Sequence, residues 1–305
     1  MLALMFPGQG TLHPAALPWL ESRGEAAEML ERLSALVGPW RPTLDDAQRA
    51  ALNRHAQPLI TGLSIAAWQC LAAALPSPAA VVGYSVGELA AFCAAGVLDA
   101  ATALALSCDR AEAMERATAG LATGLLAVRA VPPPRLASVC ERHGLALAIR
   151  LGPDSAIVGG PASALDAAGA ELAAGGVRST RLAVQVASHT PWMEPAAQAL
   201  AERLEALSFS PPRAPVICNF TAAMARTPSE LKRCLAGQLA RPILWDACMD
   251  AAAERGVRCV LEVGPGTTLA SLWRGRHPDI AARSLDDFRS PHAAAAWVAR
   301  TLSAG

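Results

Sequence analysis

A serine stands between two glycines in Gly83-Tyr84-Ser85-Val86-Gly87-Glu88, directly after the apolar run Ala79-Ala80-Val81-Val82. A strand, then G-x-S-x-G, then the helical stretch Glu88–Ala95 is the context in which a sharp turn lifts a serine hydroxyl clear of the backbone. Glycines permit the close approach that a side chain would block. A serine at a helix N-terminus also has unpaired N–H groups beside it, able to hold an oxyanion. The same letters equally describe a plain strand–helix turn whose serine caps the helix, and the motif by itself serves both readings.

A serine nucleophile needs a base. Of the six histidines, His55 and His143 sit in polar helical stretches and His277 and His292 adjoin prolines, so a surface role fits each. His189 follows the apolar run Leu182–Ala187 and precedes Thr190-Pro191, which must leave that strand. It is either a structural residue at a strand end or the base that a nucleophile elbow requires. Arg110, in Cys108-Asp109-Arg110-Ala111-Glu112-Ala113-Met114, lies on the next helical stretch. It is either a solvated helix residue or a permanently charged fork able to grip a carboxylate in two parallel hydrogen bonds.

The elements that must position these groups alternate. Strand-like runs at Leu2–Phe6, Ala79–Tyr84, Leu125–Val131, Val216–Asn219 and Val257–Val263 are separated by long alanine- and leucine-rich helical patterns. That rhythm predicts α/β architecture with a mainly parallel sheet buried on both faces. One segment differs: a strand at Leu125–Val131, a helix over 132–144, strands at Leu145–Leu151 and Ser155–Gly159, a helix over Ala162–Gly175 and a strand at Val177–Val186. The order βαββαβ predicts a ferredoxin-like subdomain, residues 123–190, inserted into a large subdomain of residues 1–122 and 191–305.

The chain has 305 residues, 53% of them hydrophobic, enough to bury a large core. Lysine plus arginine and aspartate plus glutamate number 26 each, so no net field favours nucleic acid or an anionic membrane. The opening MLALMFPGQG lacks the basic start and longer apolar core of a signal peptide, and no long uncharged apolar run follows. A cytoplasmic location is expected. The eight cysteines contain no CxxC pair and read as buried free thiols, with no metal site.

Taken together, the residues resemble the malonyl-CoA:acyl-carrier-protein transacylases, which share their fold with the acyltransferase domains of fatty-acid and polyketide synthases. Phe6-Pro7-Gly8-Gln9-Gly10 matches that family's FPGQG, Gly83–Glu88 its GHSxGE, and Arg110-x-x-x-Met114 its arginine-to-methionine spacing. Ser188-His189-Thr190-Pro191-Trp192-Met193 matches the histidine motif, Gln238-Leu239-Ala240-Arg241-Pro242 with Trp245 the QLxxPVxW segment, and Glu262-Val263-Gly264-Pro265-Gly266 the EVGPG motif. Six motifs in order span residues 6 to about 270.

The resemblance implies a hydrolase-like large subdomain with a ferredoxin-like small one. It implies that Ser85 is the acylated nucleophile, His189 its general base, and Gln238 the residue that orients His189 through a backbone carbonyl. It further implies that the N–H groups of Val86 and Leu12 form the oxyanion hole, and that Arg110 pairs with the malonyl carboxylate, with Tyr84, Gln9 and Met114 also binding substrate. The substrate would be malonyl-CoA and the acceptor an acyl carrier protein whose phosphopantetheine-type group supplies the thiol; this chain would bind no cofactor of its own. The family usually has glutamine where Leu12 stands and histidine where Tyr84 stands. With GYSVGE and Gly10-Thr11 running into Leu12-His13-Pro14, the chain is most similar to the epsilon-subunit branch, which loads the small carrier subunit of bacterial malonate decarboxylase. The alternatives are a transacylase of fatty-acid or polyketide synthesis and, in another class, a serine thioesterase or hydrolase.

Overall fold

The computed structural model of the protein describes residues 1–304. Its strands are β1 (Leu2–Phe6), β2 (Ala80–Gly83), β3 (Thr123–Val128), β4 (Ala146–Arg150), β5 (Ala156–Pro161), β6 (Ser179–Arg181), β7 (Val216–Ile217), β8 (Met224–Ala225), β9 (Ile243–Leu244), β10 (Cys259–Glu262) and β11 (Ala281–Ser284). One sheet has the order β11-β10-β1-β2-β7-β8. Its neighbours run parallel except for the β7–β8 pair. Parallel neighbours need long crossovers, and helices such as Gly24–Val37 and Asn53–Gln69, between β1 and β2, supply them.

Burial on both faces explains why β1 is an unbroken apolar run. Leu2, Leu4 and Phe6 enter the largest core, whereas Ala3 and Met5 point to the opposite face. The fold is α/β, as the alternation of runs predicts.

The second sheet has the order β6-β3-β5-β4-β9. Its first four strands pair antiparallel. Leu126, Val128 and Val158 face helices Pro133–His143 and Ala162–Ala174, forming a small core with Leu136 and Leu165. From the other face, Leu125, Ala148 and Ile157 join Met5, Val82, Trp245 and Trp273 in the core behind the first sheet. The two sheets therefore share apolar contacts.

Three features depart from the sequence-based expectations. β9 pairs parallel with β4, so this sheet draws on a segment outside residues 123–190. The strand expected at Val177–Val186 shrinks to the three residues of β6, because Leu182 and Val184 pack at the edge of the shared core and Val186 enters the largest one. β8, β9 and β11 are too short or too polar for a pattern to announce them. The cysteines are all free thiols; Cys218, Cys234, Cys248 and Cys259 are buried and the other four only half-buried. Among the described residues no helix is long and apolar enough to cross a membrane.

Candidate active site

β2 ends at Gly83 and a helix starts at Gly87, leaving three residues for the turn. A methyl group on Gly83 would meet the Glu88 nitrogen, and one on Gly87 would meet the Phe6 carbonyl. Only glycine lets the chain fold back so tightly. Ser85 at the apex has φ 56°, a left-handed conformation costly for a residue with a Cβ.

Neighbouring polar groups hold it there. The Ser85 N–H donates to Asn219 Oδ1 at 2.7 Å, the Asn219 side-chain amide donates to the Gly83 carbonyl, and the Asn219 N–H donates to Glu88 Oε1 at 2.7 Å. Gln238 Nε2 donates to the Ser85 carbonyl at 3.0 Å and to Glu88 Oε2 at 3.2 Å. Glu88 is fully buried and its carboxyl is raised to about 8, chiefly by loss of hydration. The closing glutamate of GYSVGE thus braces the elbow.

His189 lies in an irregular segment beyond β6, not at the end of a strand, and it too has a positive φ, 64°. Its N–H donates to the Leu239 carbonyl at 2.7 Å and its Nδ1 lies 2.6 Å from the Gln238 carbonyl oxygen. A carbonyl can only accept, so Nδ1 carries the proton and Nε2 keeps a lone pair. That lone pair faces Ser85 Oγ at 2.8 Å. Burial first, and then the Arg110 charge, push the imidazole down to about 3, opposed by the bond to Gln238.

His189 is therefore an unprotonated base throughout the neutral range. The expected pH profile of kcat/KM, which reports free-enzyme groups, has no limb from His189 near the ordinary value of about 6.5. Activity should hold as pH falls through that value and decline toward 3; an acid limb centred near 6.5 and removed with His189 would contradict this. Stability follows the same sign. The unfolded chain protonates this histidine below its ordinary value while the folded protein does not, so the contribution is present above about 6.5 and lost as pH falls toward 3.

Arg110 comes from helix Ala100–Ala117 and is 1% exposed. Nη2 donates to Ser85 Oγ and to Gln238 Oε1, both at 3.2 Å. Nη1 donates to Gln57 Oε1 at 2.8 Å and contacts Met114 Sδ at 3.2 Å. All four partners are neutral, and no carboxylate among the described residues forms an ion pair with it. Burial lowers the guanidinium to about 10, opposed by the charge of Glu88, so it stays charged at neutral pH. A buried cation with only neutral partners beside a serine hydroxyl has the chemistry to receive an anion.

The structure thus gathers Ser85, His189, Gln238, Arg110 and Met114. Tyr84, the residue before Ser85, lines a cavity of about 580 Å³, as do Gln9 and Leu12, whereas Ser85, His189, Gln238, Arg110 and Met114 do not. Tyr84 stacks edge-on against Trp245 with ring centroids 4.9 Å apart, and burial raises its hydroxyl above the usual range. Gln9 donates to the Ala51 carbonyl at 3.2 Å and lines both this cavity and a second one of about 320 Å³. Val86 follows Ser85 directly, and its N–H is engaged by no hydrogen bond among the described residues. Phe6, Pro7 and Gly8 abut the elbow, and among the described residues no hydrogen bond joins Leu12 to Ser85.

Sequence reasoning missed Asn219, Gln57 and the bracing by Glu88. Asn219 follows β7, and only the parallel pairing of β7 with β2 delivers it to the elbow. Asn219 closes a run already read as strand, a polar residue at a strand's C-terminal end; that was the available signal.

An elbow serine, a carbonyl-oriented histidine and a buried arginine define an acyltransferase built on an α/β fold. The acyl transferase domain family matches residues 43–278, and the chain belongs to that family. The malonyl CoA-acyl carrier protein transacylase of Escherichia coli is 30% identical over 298 residues, covering 93% of this chain and 96% of that protein. The protein of the same name from Salmonella typhimurium is 29% identical over 296 residues, with the same coverage. Among solved structures, the malonyl-CoA:acyl carrier protein transacylase of Xanthomonas oryzae pv. oryzae superposes with a TM-score of 0.89 at 30% identity, over 98% of both chains. A type II PKS acyl-carrier protein in complex with its malonyl-transacylase gives a TM-score of 0.90 at 25% identity, covering 97% of this chain and 99% of that one.

Proposed function

We propose that this protein moves a malonyl group from malonyl-CoA to the phosphopantetheine thiol of an acyl carrier protein, through a malonyl-serine intermediate on Ser85. The observation that carries it is the buried Arg110 guanidinium, 3.2 Å from Ser85 Oγ and without a charged partner of its own. Relatives named as malonyl CoA-acyl carrier protein transacylases, and the similar malonyl-transacylase solved in complex with its acyl-carrier protein, support the choice of donor and acceptor.

In the first half-reaction His189 Nε2 takes the Ser85 proton as Oγ attacks the thioester carbonyl. The oxyanion is held by the N–H groups of Val86 and Leu12. CoA leaves as a thiol when His189 returns the proton. In the second half-reaction the carrier thiol gives its proton to His189, attacks the malonyl ester and regenerates Ser85. Arg110 holds the free carboxylate throughout, and Gln238 fixes the tautomer of His189. The small unit of residues 123–190, set against 1–122 and 191–305, would wall the cleft from water.

A serine hydrolase is the weaker reading, because His189 is oriented by the Gln238 carbonyl and carries no acidic partner. The assignment to malonate decarboxylase, with its small carrier subunit as acceptor, is kept as a second reading on one observation: Tyr84 and Leu12 stand where the family usually has histidine and glutamine. The relatives favour the general transacylase of fatty-acid or polyketide synthesis over it. A cytoplasmic location completes the proposal.

A transfer assay from malonyl-CoA offering water, an ordinary phosphopantetheinyl carrier and a decarboxylase-type carrier side by side tests both. Label on the ordinary carrier is the expected result. Label confined to the decarboxylase carrier selects the second reading, and free malonate alone overturns both.

A further inference from the structure

The cavity of about 580 Å³ beside Tyr84 and Gln9 has an uneven charge. Apolar groups such as Leu12, Ala127, Leu151 and Leu272 dominate its wall, two arginines and a histidine also line it, and no aspartate or glutamate does. Apart from Tyr84, the ionisable side chains on the wall are therefore all basic, in a chain with equal numbers of acidic and basic residues. His13 is engaged with Asp286 at 2.6 Å, and Arg181 has Asp166 at 3.8 Å. Arg129 is exposed and forms no hydrogen bond or ion pair among the described residues.

Its place follows from the strand that precedes it. Leu125 and Ala127 of β3 face the shared core, while Leu126 and Val128 face the helices, so Arg129 is in phase with the cleft side. Ala130, at φ 57°, turns the chain away immediately afterwards. Tyr84, which precedes Ser85, and the uncommitted Arg129 thus line the same largely apolar cavity.

We infer that Arg129 is the phosphate-binding residue of this cleft, gripping the phosphate at the far end of the thiol-bearing arm whose acyl group lies at Ser85. The inference rests on the thioester-transfer reading for what fills the cleft. The arm joins a thiol at one end to a phosphate at the other, and Arg129 is the cation on the cavity wall that no carboxylate engages among the described residues. The phosphate could belong to the diphosphate of CoA or to the phosphodiester of a carrier, and guanidinium recognises both.

The test compares wild type, Arg129→Gln and Arg129→Lys with malonyl-CoA, with malonyl-pantetheine, which lacks phosphate, and with a phosphopantetheinyl carrier. Losing one charge-assisted contact at an open site is expected to cost about tenfold. In Arg129→Gln the ratio of KM for malonyl-CoA to KM for malonyl-pantetheine should rise by about that factor, with Arg129→Lys intermediate. The wild-type preference for the phosphorylated donor should also weaken as salt rises. A KM change confined to the donor assigns the CoA diphosphate; one shared with the carrier assigns the common phosphate. An unaltered ratio, whether both donors suffer alike or neither does, overturns the inference. Calorimetric titration with CoA and pantetheine, which needs no turnover, separates it from the function: weaker binding of CoA alone supports Arg129 whatever acyl group is transferred, and equal binding by wild type and variant refutes it.

Discussion

Ser85→Ala should carry no acyl group after brief incubation with malonyl-CoA, whereas the unaltered protein should show a malonyl adduct on the peptide containing Ser85. Transfer should fall by on the order of 10⁴-fold or more, the scale seen when the nucleophile of a cooperating set is removed. His189→Ala should cost a similar amount, because a hydroxyl whose Oγ lies 2.8 Å from Nε2 has no other base at hand. The two losses should not multiply, since they disable one step. Mass spectrometry of the intact protein and its peptides reads the first expectation, and stopped transfer assays the second. An adduct that survives Ser85→Ala would remove the nucleophile assignment.

Arg110→Ala should separate acyl groups rather than abolish chemistry. In the protein the guanidinium meets Ser85 Oγ, Gln238 Oε1, Gln57 Oε1 and Met114 Sδ, all of them neutral. A malonyl carboxylate supplies the missing charge; an acetyl methyl leaves it unpaired and dehydrated. Removing one partner of a buried hydrogen-bonded charge pair costs roughly 3–5 kcal/mol, so malonyl transfer should drop by a factor of about 10² to 5 × 10³, while acetyl transfer is spared or raised. Initial rates with malonyl-CoA and acetyl-CoA give the ratio directly. Equal losses for both would remove the selectivity role. Thermal denaturation of the variant should accompany the assay, because Gln57 and Gln238 each lose a buried donor.

Much of this site is legible in the sequence because its parts are local. The nucleophile elbow is a contiguous six-residue stretch, and Arg110 and Met114 lie one turn apart on a helix. The strand positions of β1, β2 and β10 follow from apolar runs that burial on both faces requires. The rest is illegible for the opposite reason. Asn219 reaches Ser85 only through a sheet pairing, and Gln57 meets Arg110 only through the packing of two helices. The apolar letters of Leu182, Val184 and Val186 imitate a strand, yet they furnish cavity walls and core while the chain carries His189 toward Ser85. Periodicity reports burial, and a buried loop can look like a strand.

β9 adds to the edge of the second sheet and runs without a break into the helix Trp245–Ala253. That helix sets Trp245 against the ring of Tyr84 and pairs Asp246 with Arg150 of β4 at 2.8 Å. One short segment therefore joins the ring that precedes Ser85 to β4 of the second sheet. A shift of this helix would be felt in both sheets at once, through Tyr84 on one side and Arg150 on the other.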